Sequence, residues 1–135
     1  MPYFKINLSQ KLTPEQKEKL WDEIDILAEM LPGKEASKTL VILEDGLTMR
    51  LRGKQENIAY VDVRYRGSYS IAVKQKFVTA TAKMFNDLLG VPEEMLYLTL
   101  LEFECWGVGN ELRAEETLQL EEKLQLAQTA RLQQK

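Results

Sequence analysis

The chain contains no histidine, one cysteine, and no apolar run long enough to span a membrane. Each absence closes a class of function. Without histidine, Ser-His-Asp and Cys-His machinery is excluded, and with only Cys105 to add, zinc sites are effectively excluded too. A lone cysteine cannot build an internal disulfide framework, and it fits a reducing, cytoplasmic setting. The N-terminus lacks the charged-then-apolar order of a signal peptide. A formal net charge of -3 gives no support for nucleic-acid or anionic-membrane partners. No metal or cofactor is expected. Acid-base work therefore falls to carboxylates, lysines, tyrosines and the N-terminus.

What is present reads as one globular domain of 135 residues, 44% apolar and 29% charged, with an appendage. Its most informative residue is Pro2. If Met1 is removed, which a small second residue permits, the chain begins with a secondary amine on a rigid ring. Partial desolvation brings such an amine close to neutral pH in basicity, so it can serve as a general base or nucleophile. Met-Pro starts are common, however, and the rest of the sequence has to decide.

A repeat gives the fold. Phe4, Ile6 and Leu8 alternate within residues 3–8, the pattern of a strand. Thr13 suits an N-cap, Pro14 the first helical position, and Gln16 can close a capping box. Leu20, Ile24, Leu27, Ala28 and Leu31 follow at helical spacing until Pro32-Gly33. Residues 39–43 then read as a buried strand. The same order recurs: a strand over 58–65, a helix over 73–89 broken by Gly90-Val91-Pro92, and a strand over 96–101. Between the units, Leu47, Met49 and Leu51 predict a short half-exposed strand. Two such β-α-β units, about 1–57 and 58–110, predict an α/β (α+β) fold with a four-stranded mixed sheet and both helices on one face. Strands 58–65 and 96–103 carry apolar residues on both faces, which asks for burial on both sides and hence self-association.

Pro2 heading the first strand, Leu12-Thr13-Pro14-Glu15-Gln16-Lys17, Pro32-Gly33-Lys34, Tyr97-Leu98-Thr99, and Glu102 followed by Trp106-Gly107 together resemble the tautomerase superfamily. The similarity is to the macrophage migration inhibitory factor group, including bacterial phenylpyruvate tautomerase-like members, and covers residues 1 to about 110. It implies a homotrimer with active sites between subunits and a small carboxylate substrate, an α-keto acid such as phenylpyruvate. Pro2 would be the catalytic base that shuttles a proton between carbon and oxygen. Lys34 matches the lysine near the substrate carboxylate or carbonyl, and Tyr97 the aromatic residue supplied by the neighbouring subunit. Thr99, matched to a substrate-binding position, stands where the animal proteins have asparagine.

Two arginines open an alternative. Arg64 and Arg66, two positions apart on a strand, share a face and can both grip a carboxylate. This pair resembles the malonate semialdehyde decarboxylase branch, a lyase and hydratase, but that branch has an aspartate near the end of the first helix where this chain has Lys34-Glu35. Arg66 is the arginine expected to reach the pocket, whereas Arg50 and Arg52 are assigned to a solvated or subunit-facing edge. A third possibility is a binding or signalling module whose pocket is idle. Residues 111–135, rich in Glu, Gln, Leu and Ala, predict a helical or frayed extension, since their leucines share no single helical face.

Overall fold

The computed structural model describes residues 2–114 and 125–132. The two expected β-α-β units are present. The first comprises β1 (Tyr3–Leu8), α1 (Pro14–Glu29) and β2 (Leu40–Glu44), and the second β3 (Ala59–Arg66), α2 (Ile71–Leu89) and β4 (Leu96–Phe103). The sheet order is β2-β1-β3-β4, with β1 parallel to β2 and antiparallel to β3. Short 3-10 turns at Ala36–Lys38 and Glu93–Met95 lead into β2 and β4.

Local chemistry sets the helix boundaries. Thr13 accepts from the Gln16 amide while the Gln16 side chain accepts from the Thr13 amide, closing the capping box, and Pro14 follows. Ser70 caps α2 through the Val73 amide, so that helix starts two residues before the periodicity suggested. Gly90 ends α2 in the left-handed region at φ 67°. Caps decide where a helix starts; packing decides whether it stays. Losing a cap hydroxyl costs about 1 kcal/mol, whereas truncating a core leucine costs about 2–5 kcal/mol. Leu20, Ile24, Leu27 and Ala28 of α1 and Phe77, Met84, Phe85 and Leu89 of α2 make that core with the inward residues of the sheet. Phe4 and Phe77 tie β1 to α2, ring centroids 6.0 Å apart.

Three expectations are corrected. β3 is not apolar on both faces: Ala59, Val61, Val63 and Tyr65 point inward, and Tyr60, Asp62, Arg64 and Arg66 outward. The segment 47–51 keeps its alternating exposure but is not a strand: the Leu47 amide donates to the Leu8 carbonyl of β1 at 3.0 Å, and no ladder continues from there. Only Leu51 and Lys54 bridge, around a turn in which Arg52 and Gly53 take φ of 52° and 75°. Residues 111–114, expected to begin the extension, form instead the second strand of a hairpin, β5 (Cys105–Val108) with β6 (Glu111–Ala114). Of that extension, residues 125–132 are helical, while 115–124 and 133–135 lie outside the described residues.

The chain divides into two compact units, one of residues up to 65 with 69–101, the other of 66–68 with the stretch from Glu102 onward. In the first unit, Asp45 joins the end of β2 to the start of α1. Its carboxylate accepts the Leu12 amide at 2.8 Å, and Lys11 and Lys17 stand 3.3 and 4.0 Å away. The Leu12 hydrogen bond, aided by the two lysines against some desolvation, holds its pKa below the usual carboxylate value. A lowered folded-state pKa adds stability above the unfolded value of about 3.9 and loses it as pH falls through the folded one. Asp45→Asn should therefore be less stable than the parent above about pH 5, with the two converging in strong acid. Urea unfolding across pH 2–7 measures this, and a constant gap would refute it.

Candidate active site

Pro2 is buried at the head of β1, and its carbonyl accepts the Leu40 amide of β2 at 3.1 Å. Met1, on whose removal the amine depends, lies outside the described residues. The loop after α1 turns at Gly33, φ 79°, and the Lys34 amide donates to the Leu31 carbonyl at 3.0 Å. Lys34 is half-buried there, six residues before Leu40. Tyr69, whose ring lies 5.0 Å from that of Tyr65, donates its hydroxyl to the Pro32 carbonyl and fixes the same loop from the other side. Pro2 and Lys34 thus share one end of the sheet.

Arg64 is opposite Tyr3 in the β1–β3 register, one step from Pro2. Its guanidinium is engaged. Nη2 and Nε donate to Asp62 at 2.9 and 3.1 Å, and the group stands 5.5 Å over the Tyr3 ring. Asp62 holds the Arg64 pKa above the usual guanidinium value, first through the hydrogen bond and then through its charge. Arg66, in the second unit, donates from Nη1 to the Ala114 carbonyl of β6 at 2.9 Å.

Tyr97 and Thr99 stand farther along the sheet, Thr99 at its middle. Thr99 shares a 2.9 Å hydrogen bond with the Tyr60 hydroxyl and donates to Asp62 at 3.1 Å. Tyr60 pairs with Asn7, five register positions from the level of Pro2, or about 17 Å at the usual strand rise. A single chain therefore does not bring all six candidate residues together. Around Tyr60, Tyr97 and Thr99 lies a cavity of about 650 Å³, whose wall also includes Arg50. The Tyr60–Thr99–Asp62 chain was legible as same-face alternation along 60–66 and went unread; Arg50 gave no such signal.

No protein-family model matches the sequence, and no curated protein matches it. Solved structures do. MIF2 of Leishmania major superposes with a TM-score of 0.76 at 18% identity, covering 84% of this chain and 97% of that one. The macrophage migration inhibitory factor of Toxoplasma gondii gives 0.74 at 24%, with coverages of 82% and 99%. Pt0534, in a structure inactivated by 2-oxo-3-pentynoate, gives 0.70 at 19%, with 79% and 92%.

The Asp62 clamp is open to direct test. Asp62→Asn should speed exchange of the Arg64 Nε proton several-fold in nitrogen-15 spectra; an unchanged rate would mean the ion pair does not hold in solution. Because Arg64 is more than a third exposed, stability should change little. The chain thus has the fold of the solved macrophage migration inhibitory factor proteins.

Proposed function

We propose that the protein is a cytoplasmic keto–enol tautomerase acting on an α-keto acid such as phenylpyruvate, with the Pro2 amine as base once Met1 is removed. The observation that carries this reading is a buried proline heading β1, at the same end of the sheet as Lys34, in a fold shared with tautomerase-superfamily proteins. Pt0534 adds support, since the compound that inactivated it is a 2-oxo acid.

The chemistry follows from the residues. Moving a proton from the carbon beside a carbonyl needs a base that titrates near the working pH. Burial disfavours the charged ammonium and lowers its pKa, and the nearby Lys34 charge acts in the same direction. The neutral amine removes the carbon-bound proton, negative charge develops on the carbonyl oxygen, and the same proton returns at that oxygen. Lys34 meets the developing charge or the substrate carboxylate. Tyr97 and Thr99 of an adjoining copy complete the pocket, which makes the working form a homotrimer with sites between subunits. The lyase reading has no comparable observation in its favour, because Asp62 engages Arg64 and the Ala114 carbonyl engages Arg66.

Ultraviolet measurement of phenylpyruvate tautomerisation tests the reading, with intact mass confirming a proline N-terminus. Pro2→Ala should cut kcat/KM by about 10²–10⁴, the usual worth of a positioned general base. The rate should rise with pH to a plateau, with an apparent pKa below the ordinary α-amino value of about 7.7–8.0. Equal rates for parent and variant would remove Pro2 as the base.

A further inference from the structure

A lysine ammonium on a flexible four-carbon stem is placed only as well as its backbone is held. Lys34 lies in the loop from α1 to β2, between Gly33 in the left-handed region and the turn at Ala36–Lys38. Two hydroxyls hold that loop on either side of it. Downstream, Thr39 Oγ1 donates to the Glu35 carbonyl at 2.9 Å, a local bond spanning four residues. Upstream, the Tyr69 hydroxyl donates to the Pro32 carbonyl, 37 residues away in sequence. The second bond ties the first β-α-β unit to the second, because Tyr69 lies between β3 and α2.

Tyr69 is itself well held. Its ring lies 5.0 Å from that of Tyr65, which is wholly buried on β3, and the next residue, Ser70, caps α2 through the Val73 amide. A phenylalanine would make the same ring contact; the hydroxyl adds the bond to Pro32. Pro32 is exposed, so water satisfies its carbonyl when Tyr69 does not. The bond therefore fixes a position rather than rescuing a buried polar group.

From these contacts we infer that Tyr69 is a positioning residue for Lys34, its hydroxyl setting where the lysine ammonium stands at the proline end. The inference rests on the reading of Lys34 as the cation that meets the developing oxyanion. Such a donor stabilises the transition state only if it is already in place, and misplacement by about 1 Å can cost up to about 10²-fold in rate. With Pro32 released, the ammonium samples more positions, and the loss falls on kcat rather than KM.

The test uses Tyr69→Phe, which keeps the ring and removes only the hydroxyl, in protein whose proline N-terminus is confirmed by intact mass. Hydrogen exchange at the Lys34 amide, which donates to the Leu31 carbonyl, should speed about fivefold, the usual worth of one hydrogen bond, while exchange within α2 stays unchanged. In phenylpyruvate tautomerisation, kcat should fall about fivefold to tenfold with KM within twofold. In a Lys34→Gln background, Tyr69→Phe should lower kcat no further, because the hydroxyl acts only through Lys34. Unchanged exchange at Lys34 would overturn the inference, as would faster exchange throughout α2, which marks a general loss of packing. So would an unchanged kcat, a change confined to KM, or an additive loss in the double variant. If the parent does not tautomerise phenylpyruvate, the proposed function falls, and exchange alone still decides whether Tyr69 holds Lys34.

Discussion

The central strands β1 and β3 are covered by helices on one face, and the other features of the sheet depend on that one-sided cover. Phe4, Ile6 and Leu8 of β1 and Ala59, Val61, Val63 and Tyr65 of β3 are wholly buried against the α1–α2 layer. The register is fixed by this burial, because a slip of one residue would turn Asp62 and Arg64 into the core and Val61 and Val63 out of it. The antiparallel pairing of β1 with β3 places the two β-α-β units about a common centre and leaves β2 and β4 at the margins. Pro2 owes its burial to the same register, since the ladder that begins at Tyr3 holds the preceding residue against β2 through the Leu40 amide.

The outward face is organised by polarity. Its middle is polar and paired: Lys5 forms a 3.8 Å ion pair with Glu44, Asp62 holds Arg64, and Thr99 joins Tyr60 to Asp62 by hydrogen bonds. Its margins are apolar, with Leu40 and Ile42 exposed on β2 and Tyr97 and Leu101 exposed on β4. Exposed apolar side chains on both edge strands suit contacts with further copies of the chain better than a fully solvated surface does. The separation of Pro2 from Tyr97 then has a physical meaning. Residues so far apart on one sheet can share a pocket only where the end of one copy meets the margin of the next.

Legibility in the sequence followed how local each determinant was. The Thr13–Gln16 capping box, the Pro32-Gly33 break and the inward alternation of Phe4, Ile6 and Leu8 depend on neighbours within four residues, and the structure has them. Ser70 was as local a cap, but the apolar periodicity of α2 drew the reading to a later start. The stretch Leu47–Leu51 misled because alternation reports which way side chains face, whereas a strand also needs a continuing ladder, and only the Leu47 amide meets β1. The β5–β6 hairpin was hidden behind a helix-forming composition in residues 111–114 and a turn carried by Gly109-Asn110. For the site, residue identity pointed to Pro2 and Lys34, and the strands do bring them to one end. Which arginines were committed elsewhere was not legible, because Arg66 meets a carbonyl 48 residues away.

Those arginines decide how the cationic chemistry is distributed. A guanidinium has a fixed fork of donors, and that geometry serves a backbone carbonyl as readily as a substrate carboxylate. Here Arg52 donates to the Glu94 carbonyl and so ties the Leu51–Lys54 turn to the segment before β4. Arg64 is held within its own strand by Asp62, and Arg66, within the second unit, donates to the Ala114 carbonyl. A charge engaged in this way must give up its partner before it can take a substrate, which costs it the hydrogen bonds it already has. Arg64 and Arg66, the two arginines that suggested a carboxylate grip in the sequence, are thus engaged within the chain, as is Arg52. On the proposed reading, the positive charge at the proline end is that of Lys34, whose compact ammonium on a flexible stem suits a single developing oxyanion better than a bidentate clamp. That division favours proton transfer at the proline end over a reaction in which paired arginines anchor a departing carboxylate.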